Sequence, residues 1–158
     1  MSEGHKKLQI YQQAHRLAIE VHQMTLALPA IERFEEGSQI RRSAKSVVAN
    51  IVEGFALRKY KNEFVYYLFR AYASCEETME HLELLFETKS MTDETLFTRL
   101  AQDSNNLCGK ILRYIQAVDQ KFEMPNFMKE PEAPYVITDV SGNDEVVSQF
   151  PNLESPTS

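Results

Sequence analysis

The stretch FVYYLFRAYASCEETMEHLELL, residues 64–85, carries the pattern that decides the fold. Small and apolar side chains recur in it at alternating spacings of four and three residues. They are Phe64, Leu68, Ala71, Cys75, Thr78, Leu82 and Leu85. This spacing, kept over three heptads, is typical of a helix that packs one face into a bundle or coiled coil. It predicts a helix over about residues 59–88.

Two further helices are predicted before this one. The first covers about residues 5–28 and ends at Pro29, because the residue before a proline is forced out of the helical region. The segment PAIERFEEG then forms a connection. The second helix begins near Ser38, a plausible N-cap that follows Gly37. Its apolar face consists of Ile40, Ala44, Val47, Ile51 and Phe55.

A fourth helix is predicted over about residues 93–123, with Ser90 or Thr92 as its N-cap. Proline and glycine are scarce before residue 124, which suits long helices with few connections. The predicted fold is therefore all-α, an up-and-down four-helix bundle over residues 1–123.

The last part of the chain has a different composition. Residues 124–158 carry one Lys and six acidic residues, whereas residues 1–123 carry 16 Lys and Arg against 17 Asp and Glu. Five of the six prolines also lie in this C-terminal tail. Such a composition predicts an acidic, flexible tail. Residues 134–140, PYVITDV, are the exception and predict a short strand or an extended arm.

The overall composition is that of an ordinary globular protein, with 158 residues of which 43% are hydrophobic and 25% charged. No apolar run is long enough to predict a membrane span. The N-terminus is polar and lacks the apolar stretch of a secretory signal, so a cytoplasmic location is expected. Cys75 and Cys108 lie inside apolar helical patterns and are expected to be buried, reduced thiols rather than a disulfide.

Some apolar side chains lie away from the predicted core faces. They are Val48, Val52, Tyr66, Phe69 and Leu84. One bundle core cannot bury all of them, and a large exposed apolar surface usually marks an interface. These residues are therefore the predicted contacts of a homo-oligomer.

Basic residues cluster around the second helix and its junction with the third. They are Arg41, Arg42, Lys45, Arg58, Lys59 and Lys61. Tyr60, Tyr66 and Tyr67 follow them and offer rings on which single-stranded bases stack. This predicts phosphate contacts with RNA at the six basic positions. The alternative is that these residues make bundle and oligomer contacts, since a nearly neutral body lacks the basic face that nucleic-acid binding normally needs.

Catalytic and metal-binding patterns are weak. A di-iron bundle requires two Glu-x-x-His motifs, and the sequence has none. No Gly-rich phosphate loop or nucleophile motif is present either. We therefore predict no cofactor, no metal and no enzymatic activity. The remaining alternative is a ligand or metal held near Glu77 and His81, or near Asn50 and Glu53.

Residues 28–84 resemble the four-helix bundle proteins associated with 23S ribosomal RNA intervening sequences. The matching motifs are a Leu-Pro and Arg-Phe connection, Gln-Ile-Arg-Arg, Ala-Asn-Ile-x-Glu-Gly and Lys-x-Glu-Phe. Here they are Leu28–Pro29, Arg33–Phe34, Gln39–Arg42, Ala49–Gly54 and Lys61–Phe64. The resemblance extends in pattern over about residues 5–123 and implies a bundle that assembles as a homopentameric ring.

The same resemblance implies a binding or scaffolding role in which RNA or a protein partner is contacted. A more distant likeness is to the accessory protein of diversity-generating retroelements, which binds nucleic acid and a reverse transcriptase. That protein is strongly basic, and this chain is not. A third alternative is a purely structural assembly in which the acidic tail docks on a partner.

Overall fold

A computed structural model describes residues 3–120, 135–138 and 144–147. The first of these ranges is helical, with four long helices, one short helix and an initial 3₁₀ turn at Gly4–Lys7. The α-helices are α1 (Gln9–Leu26), α2 (Ala30–Phe34), α3 (Glu36–Ala56), α4 (Lys61–Glu87) and α5 (Glu94–Val118). The prediction of four long helices is confirmed. Across the described residues, no helix combines the length and apolar character needed to cross a membrane.

The chain divides into two units, residues 1–120 and 121–158. In the second unit, β1 (Tyr135–Thr138) pairs antiparallel with β2 (Asp144–Val147). β1 falls within the stretch for which the sequence predicted a short strand or an extended arm. The predicted flexibility of the tail concerns residues that lie largely outside the described ones.

The heptad pattern of α4 marks the core correctly. All seven of its predicted positions are buried, and six of them are fully buried, with 0% exposure. On α3, the first four positions of the predicted apolar face are buried as well, while Phe55 at its end is half-buried. The two helices that the sequence describes best therefore supply the centre of the helical body.

Side-chain contacts between the long helices show their relative directions. On α3 and α4, Glu36 pairs with His81 and Ser46 with Ser74, so the two helices run in opposite directions. On α4 and α5, the side chains of Lys61 and Asp119, which follows α5, form an ion pair 2.7 Å long. Similar contacts connect α1 with α3 and with α5. They are the Arg41–Thr25 hydrogen bond and the Arg99–Glu20 ion pair.

Small polar side chains connect α3 to α4 through hydrogen bonds. Thr78 Oγ1 donates to Ser43 Oγ over 2.8 Å. One turn away along α4, the hydroxyls of Ser46 and Ser74 lie 2.9 Å apart. Within α3, Asn50 Nδ2 donates to the Ser46 carbonyl over 2.8 Å and to Ser46 Oγ over 3.0 Å. Because buried polar groups are costly when unpaired, the two bonds between the helices favour one register of α3 on α4.

Glycines allow close approach at both ends of α3. A Cβ atom at Gly54 would lie 3.0 Å from Tyr67 Cβ on α4. A Cβ atom at Gly37 would lie only 2.6 Å from the Glu32 carbonyl oxygen, which belongs to α2. The start of α3 is thus packed directly against the backbone of the short helix.

The helix starts differ from the sequence predictions. α3 begins at Glu36 rather than near Ser38, and the connection before it contains α2. The N-cap of α5 is Asp93, whose Oδ1 accepts a 2.9 Å bond from the Leu96 amide. Ser90, one of the two predicted caps, instead donates to Glu32 Oε1. The predicted boundaries were wrong by two residues for α3, and the predicted cap of α5 was wrong because three neighbouring polar residues suited the role.

The two cysteines meet between α4 and α5, and both are free and buried. Cys75 Sγ donates to the Ser104 carbonyl on α5 over 3.4 Å. The Cys75 thiol beside Cys108, together with burial, raises the pKa of the Cys108 thiol far above its ordinary value. The prediction of buried thiols is confirmed, although their proximity was not foreseen from the sequence.

Replacing two glycines by alanine should have opposite effects on stability. Gly37→Ala places a methyl group against the Glu32 backbone, so we expect it to lower the free energy of unfolding by about 1–3 kcal/mol. Gly109→Ala, inside α5, meets only the flexible Arg113 side chain, at 3.5 Å. We expect it to raise that free energy by about 0.5–1 kcal/mol, the helix preference for alanine. Urea unfolding measures both, and equal shifts for the two variants would contradict the close contact at Gly37.

The thiols should resist alkylation in the folded protein. Because the thiolate is the reactive form, burial and the raised pKa of Cys108 both slow its reaction with iodoacetamide at about pH 8. We expect both cysteines to react only after denaturation in guanidinium. A Thr98→Cys variant, with an exposed thiol, is the positive control. Mass spectrometry that found Cys108 modified as fast as this control would refute the prediction.

Candidate nucleic-acid interface

The junction of α3 and α4 presents aromatic rings together with cations. We call this surface the α3–α4 corner. Its residues are Phe55, Arg58, Lys59, Tyr60, Lys61, Tyr66 and Arg70. Tyr60 and Tyr66 are 59% and 54% exposed, unusually high for such large rings. The corner therefore combines the two group types that contact single-stranded nucleic acid, flat rings for bases and cations for phosphates.

Arg58 completes the end of α3. Its Nη1 donates over 2.8 Å to the Phe55 carbonyl in the last turn of α3, and that carbonyl also accepts a bond from the Arg58 amide over 3.3 Å. Its guanidinium carbon also lies 4.1 Å from the centre of the Phe55 ring. The cation is exposed and held in one orientation by these two contacts.

The first three turns of α4 supply the second half of the corner. Arg70 Nη1 donates to Tyr66 Oη over 3.2 Å, and this bond raises the pKa of the Arg70 guanidinium. The Arg70 guanidinium also lies 5.7 Å from the Tyr66 ring centre. Just before α4, Lys59 Nζ lies 5.9 Å from the Tyr60 ring centre, near the limit for a cation–π contact. Each exposed ring in the corner is thus accompanied by a cation.

The six predicted phosphate contacts separate into three groups. Arg58, Lys59 and Lys61 lie in the corner, although Lys61 is engaged by Asp119. Arg42 and Lys45 are exposed on the outer side of α3. They are more than ten residues from Arg58 along the helix, which at 1.5 Å per residue separates the groups by about 20 Å. The structure does not bring all six residues into one surface.

Arg41 has a different environment. It is half-buried, and its Nη1 donates to Thr25 Oγ1 over 2.9 Å while its Nη2 donates to the Arg33 carbonyl over 2.8 Å. Arg33 in turn donates through Nε to the Leu28 carbonyl. Arg41 therefore fastens the connection between α1 and α3. Sequence reasoning offered a bundle contact as one alternative for Arg41 but could not identify these partners, because they lie eight or more residues away.

Arg70 is the corner residue that the sequence analysis missed. A signal for it was present, since it follows Tyr66 by four residues on one helix face. Basic and aromatic residues at this spacing meet on the surface of a helix.

The predicted oligomer contacts lie outside the fully buried core. Val48, Val52, Phe69 and Leu84 are half-buried, and Tyr66 is exposed. Val48 lines an apolar groove of about 450 Å³ between α1 and α3, together with Ile19. The largest exposed rings and branched chains lie elsewhere. Phe34 and Ile31 on α2 are 82% and 71% exposed.

Three of the four alternative metal or ligand residues, Glu77, His81 and Asn50, make hydrogen bonds or ion pairs within the helical body. His81 Nδ1 lies 2.7 Å from Glu36 Oε2, and its Nε2 lies 3.5 Å from Glu77 Oε1. Asn50 donates within α3 to the carbonyl and the hydroxyl of Ser46. Within residues 3–120 and the two strands, no group of three or more His, Cys, Asp or Glu side chains is placed to hold a metal ion.

Comparison with known proteins agrees with this arrangement of helices. The family model described as 23S rRNA-intervening sequence protein matches residues 6–113. The chain belongs to the 23S rRNA-intervening sequence protein family. The resemblance seen in the sequence is thereby confirmed, and the match covers α1 to α4 and most of α5.

One solved structure is similar over most of this family region. It is a protein of unknown function from the S23 ribosomal protein family of Bacteroides thetaiotaomicron VPI-5482. The TM-score is 0.62 at 25% sequence identity, over 68% of this chain and 95% of that chain. A comparison with curated proteins finds no match. No enzymatic activity is indicated by the family description or by this structural neighbour.

Two adjacent arginines give a direct test of the roles assigned here. Arg41→Ala removes two hydrogen bonds from a half-buried guanidinium, so we expect the free energy of unfolding to fall by about 1–3 kcal/mol. Arg42→Ala, at an exposed position, is the matched control and should change it by less than about 0.5 kcal/mol. Urea unfolding distinguishes them, and equal values for the two variants would show that Arg41 has no structural role.

Proposed function

We propose that this protein is a non-enzymatic, homo-oligomeric module that binds RNA through the α3–α4 corner. In this proposal the four long helices form an up-and-down bundle, and the bundles assemble as a pentameric ring. The observation that carries the RNA proposal is the pairing of exposed rings with cations at Tyr60 and Tyr66. The description of the family, which refers to an intervening sequence of 23S rRNA, is consistent with an RNA partner.

The bundle topology is supported by the contacts between helices. α3 contacts α4 and α1, and α5 contacts α4 and α1. The pairs Glu36–His81 and Ser46–Ser74 indicate that α3 and α4 are antiparallel. Four helices that meet their neighbours in this way enclose one core, which is the arrangement of an up-and-down bundle.

Assembly is supported by apolar surface that the helical body leaves open. Ile31, Phe34 and Leu26 are more than half exposed, on α2 and the end of α1. The groove beside Val48 adds a second apolar area on the outer side of α1 and α3. Monomeric proteins rarely leave such surfaces uncovered. A ring would also repeat the corner around its axis, which offsets the weak binding expected from one nearly neutral subunit.

RNA binding can be tested by removing two charges that support no backbone contact. Lys59→Gln with Arg70→Gln should weaken binding of a fluorescent single-stranded RNA about tenfold at low salt. The slope of log K against log salt should become smaller by about 1.4, because each phosphate that is no longer neutralised reduces it by about 0.7. Fluorescence anisotropy at several salt concentrations measures both quantities.

The matched control removes the same charge from the outer side of α3. Arg42→Gln with Lys45→Gln should leave affinity for the RNA within about twofold. Loss of binding in this control, with binding retained by the corner variant, would place the interface on α3 instead. Equal affinity for RNA and single-stranded DNA would favour the alternative, the retroelement accessory type of protein.

The assembly can be weighed directly. Native mass spectrometry at micromolar concentration should give a species of five times the 18.2 kDa chain mass. Phe34→Asp should reduce the population of this species, since it places a charge on the most exposed ring. A wild-type protein that remained at the mass of one chain would contradict the proposed assembly.

A further inference from the structure

A polar cleft opens between α1 and α5, away from the α3–α4 corner. Its volume is about 360 Å³, within the range of sites for small ligands. Three cations line it: Arg16 from α1, and Lys110 and Arg113 from α5. Two acids, Glu20 and Asp103, also line it.

One cation outside the lining, Arg99, contacts both acids of the cleft, so four cations in all face two acids there. Arg99 Nη1 forms an ion pair with Glu20 Oε2, and it also lies 3.8 Å from Asp103 Oδ2. Within the described helical residues, the three cations of the cleft have no such partner. Among residues 3–120, none of them makes an ion pair or hydrogen bond. The cleft is thus left with a surplus of positive charge.

The chemistry of the cleft suits a phosphate group. Arginine presents a planar fork of donors that matches phosphate oxygens, and lysine adds a compact charge. The amide side chains of Gln13 and Asn106 lie beside these cations and can bond to hydroxyl or ring-nitrogen groups. Leu17 supplies an apolar wall on the α1 side.

We propose that the α1–α5 cleft is a binding site for a small phosphomonoester, of the size of a nucleoside monophosphate. A terminal phosphate carries close to two negative charges at neutral pH and is therefore matched better by three cations than a phosphodiester with one charge. A concave cleft also suits a compact ligand more than a long strand. The site is independent of the proposed RNA interface, because it shares no residue with the corner.

Isothermal titration calorimetry of the full chain tests this site with three probes. Adenosine 5′-monophosphate and inorganic phosphate should bind, and adenosine should not. Arg113→Gln and Lys110→Gln should each weaken binding of the monophosphate about tenfold, the loss expected for one charge-assisted hydrogen bond. Lys7→Gln, which removes an exposed cation outside the cleft, is the control and should have no effect.

A variant that is expected to bind the monophosphate more tightly adds a second test. Glu20→Gln removes the partner of Arg99 and one negative charge from the cleft, so the monophosphate should bind about threefold more tightly. Circular dichroism melting of every variant establishes that it is folded. Adenosine binding as well as its monophosphate, or all cleft variants binding like Lys7→Gln, would overturn the proposal. Binding of an RNA lacking terminal phosphates in place of the monophosphate would overturn it too.

Discussion

The packing of α3 on α4 is the contact on which the remaining structure depends. Beside its buried apolar side chains it contains small hydroxyl groups, and these bond directly across the helix pair at Ser43 and Thr78. Gly54 lets the backbones approach near the end of α3. Because the register of the two helices is fixed in this way, the turn that joins them is fixed as well. The exposed rings and cations of the α3–α4 corner are held by that turn.

Periodicity predicted the core of this fold from the sequence, because burial follows helical spacing directly. Every position of the residue 64–85 pattern is buried. Contacts between distant residues could not be predicted in the same way. The sequence does not show which groups Arg41 contacts. The structure shows that Arg41 donates a hydrogen bond to the Arg33 carbonyl, in the segment between α1 and α3. Asp93 could not be distinguished from its neighbours as a cap, since the choice depends on backbone angles. For the candidate site, sequence reasoning found Lys59 but not Arg70.

The net charge of the helical body does not reveal that its surface has locally positive regions. Residues 1–123 are nearly neutral, and this argued against strong electrostatic binding of nucleic acid. The structure shows that some cations form ion pairs with acidic side chains and others do not. Arg99 contacts both acids of the α1–α5 cleft, and His81 lies between two carboxylates at the α3–α4 contact. Cations such as Arg16 and Lys59 are left without an acidic partner among residues 3–120. Local positive surfaces therefore arise on a body that carries almost no net charge.

Hydrogen bonds between small side chains fix α3 on α4. A double-mutant cycle with Ser43→Ala and Thr78→Val measures it most directly, because the two hydroxyls lie 2.8 Å apart and both are buried. Urea unfolding of the wild type, both single variants and the double variant gives the coupling free energy. We predict a coupling of about 1 kcal/mol. Additive effects, with a coupling below about 0.3 kcal/mol, would contradict it.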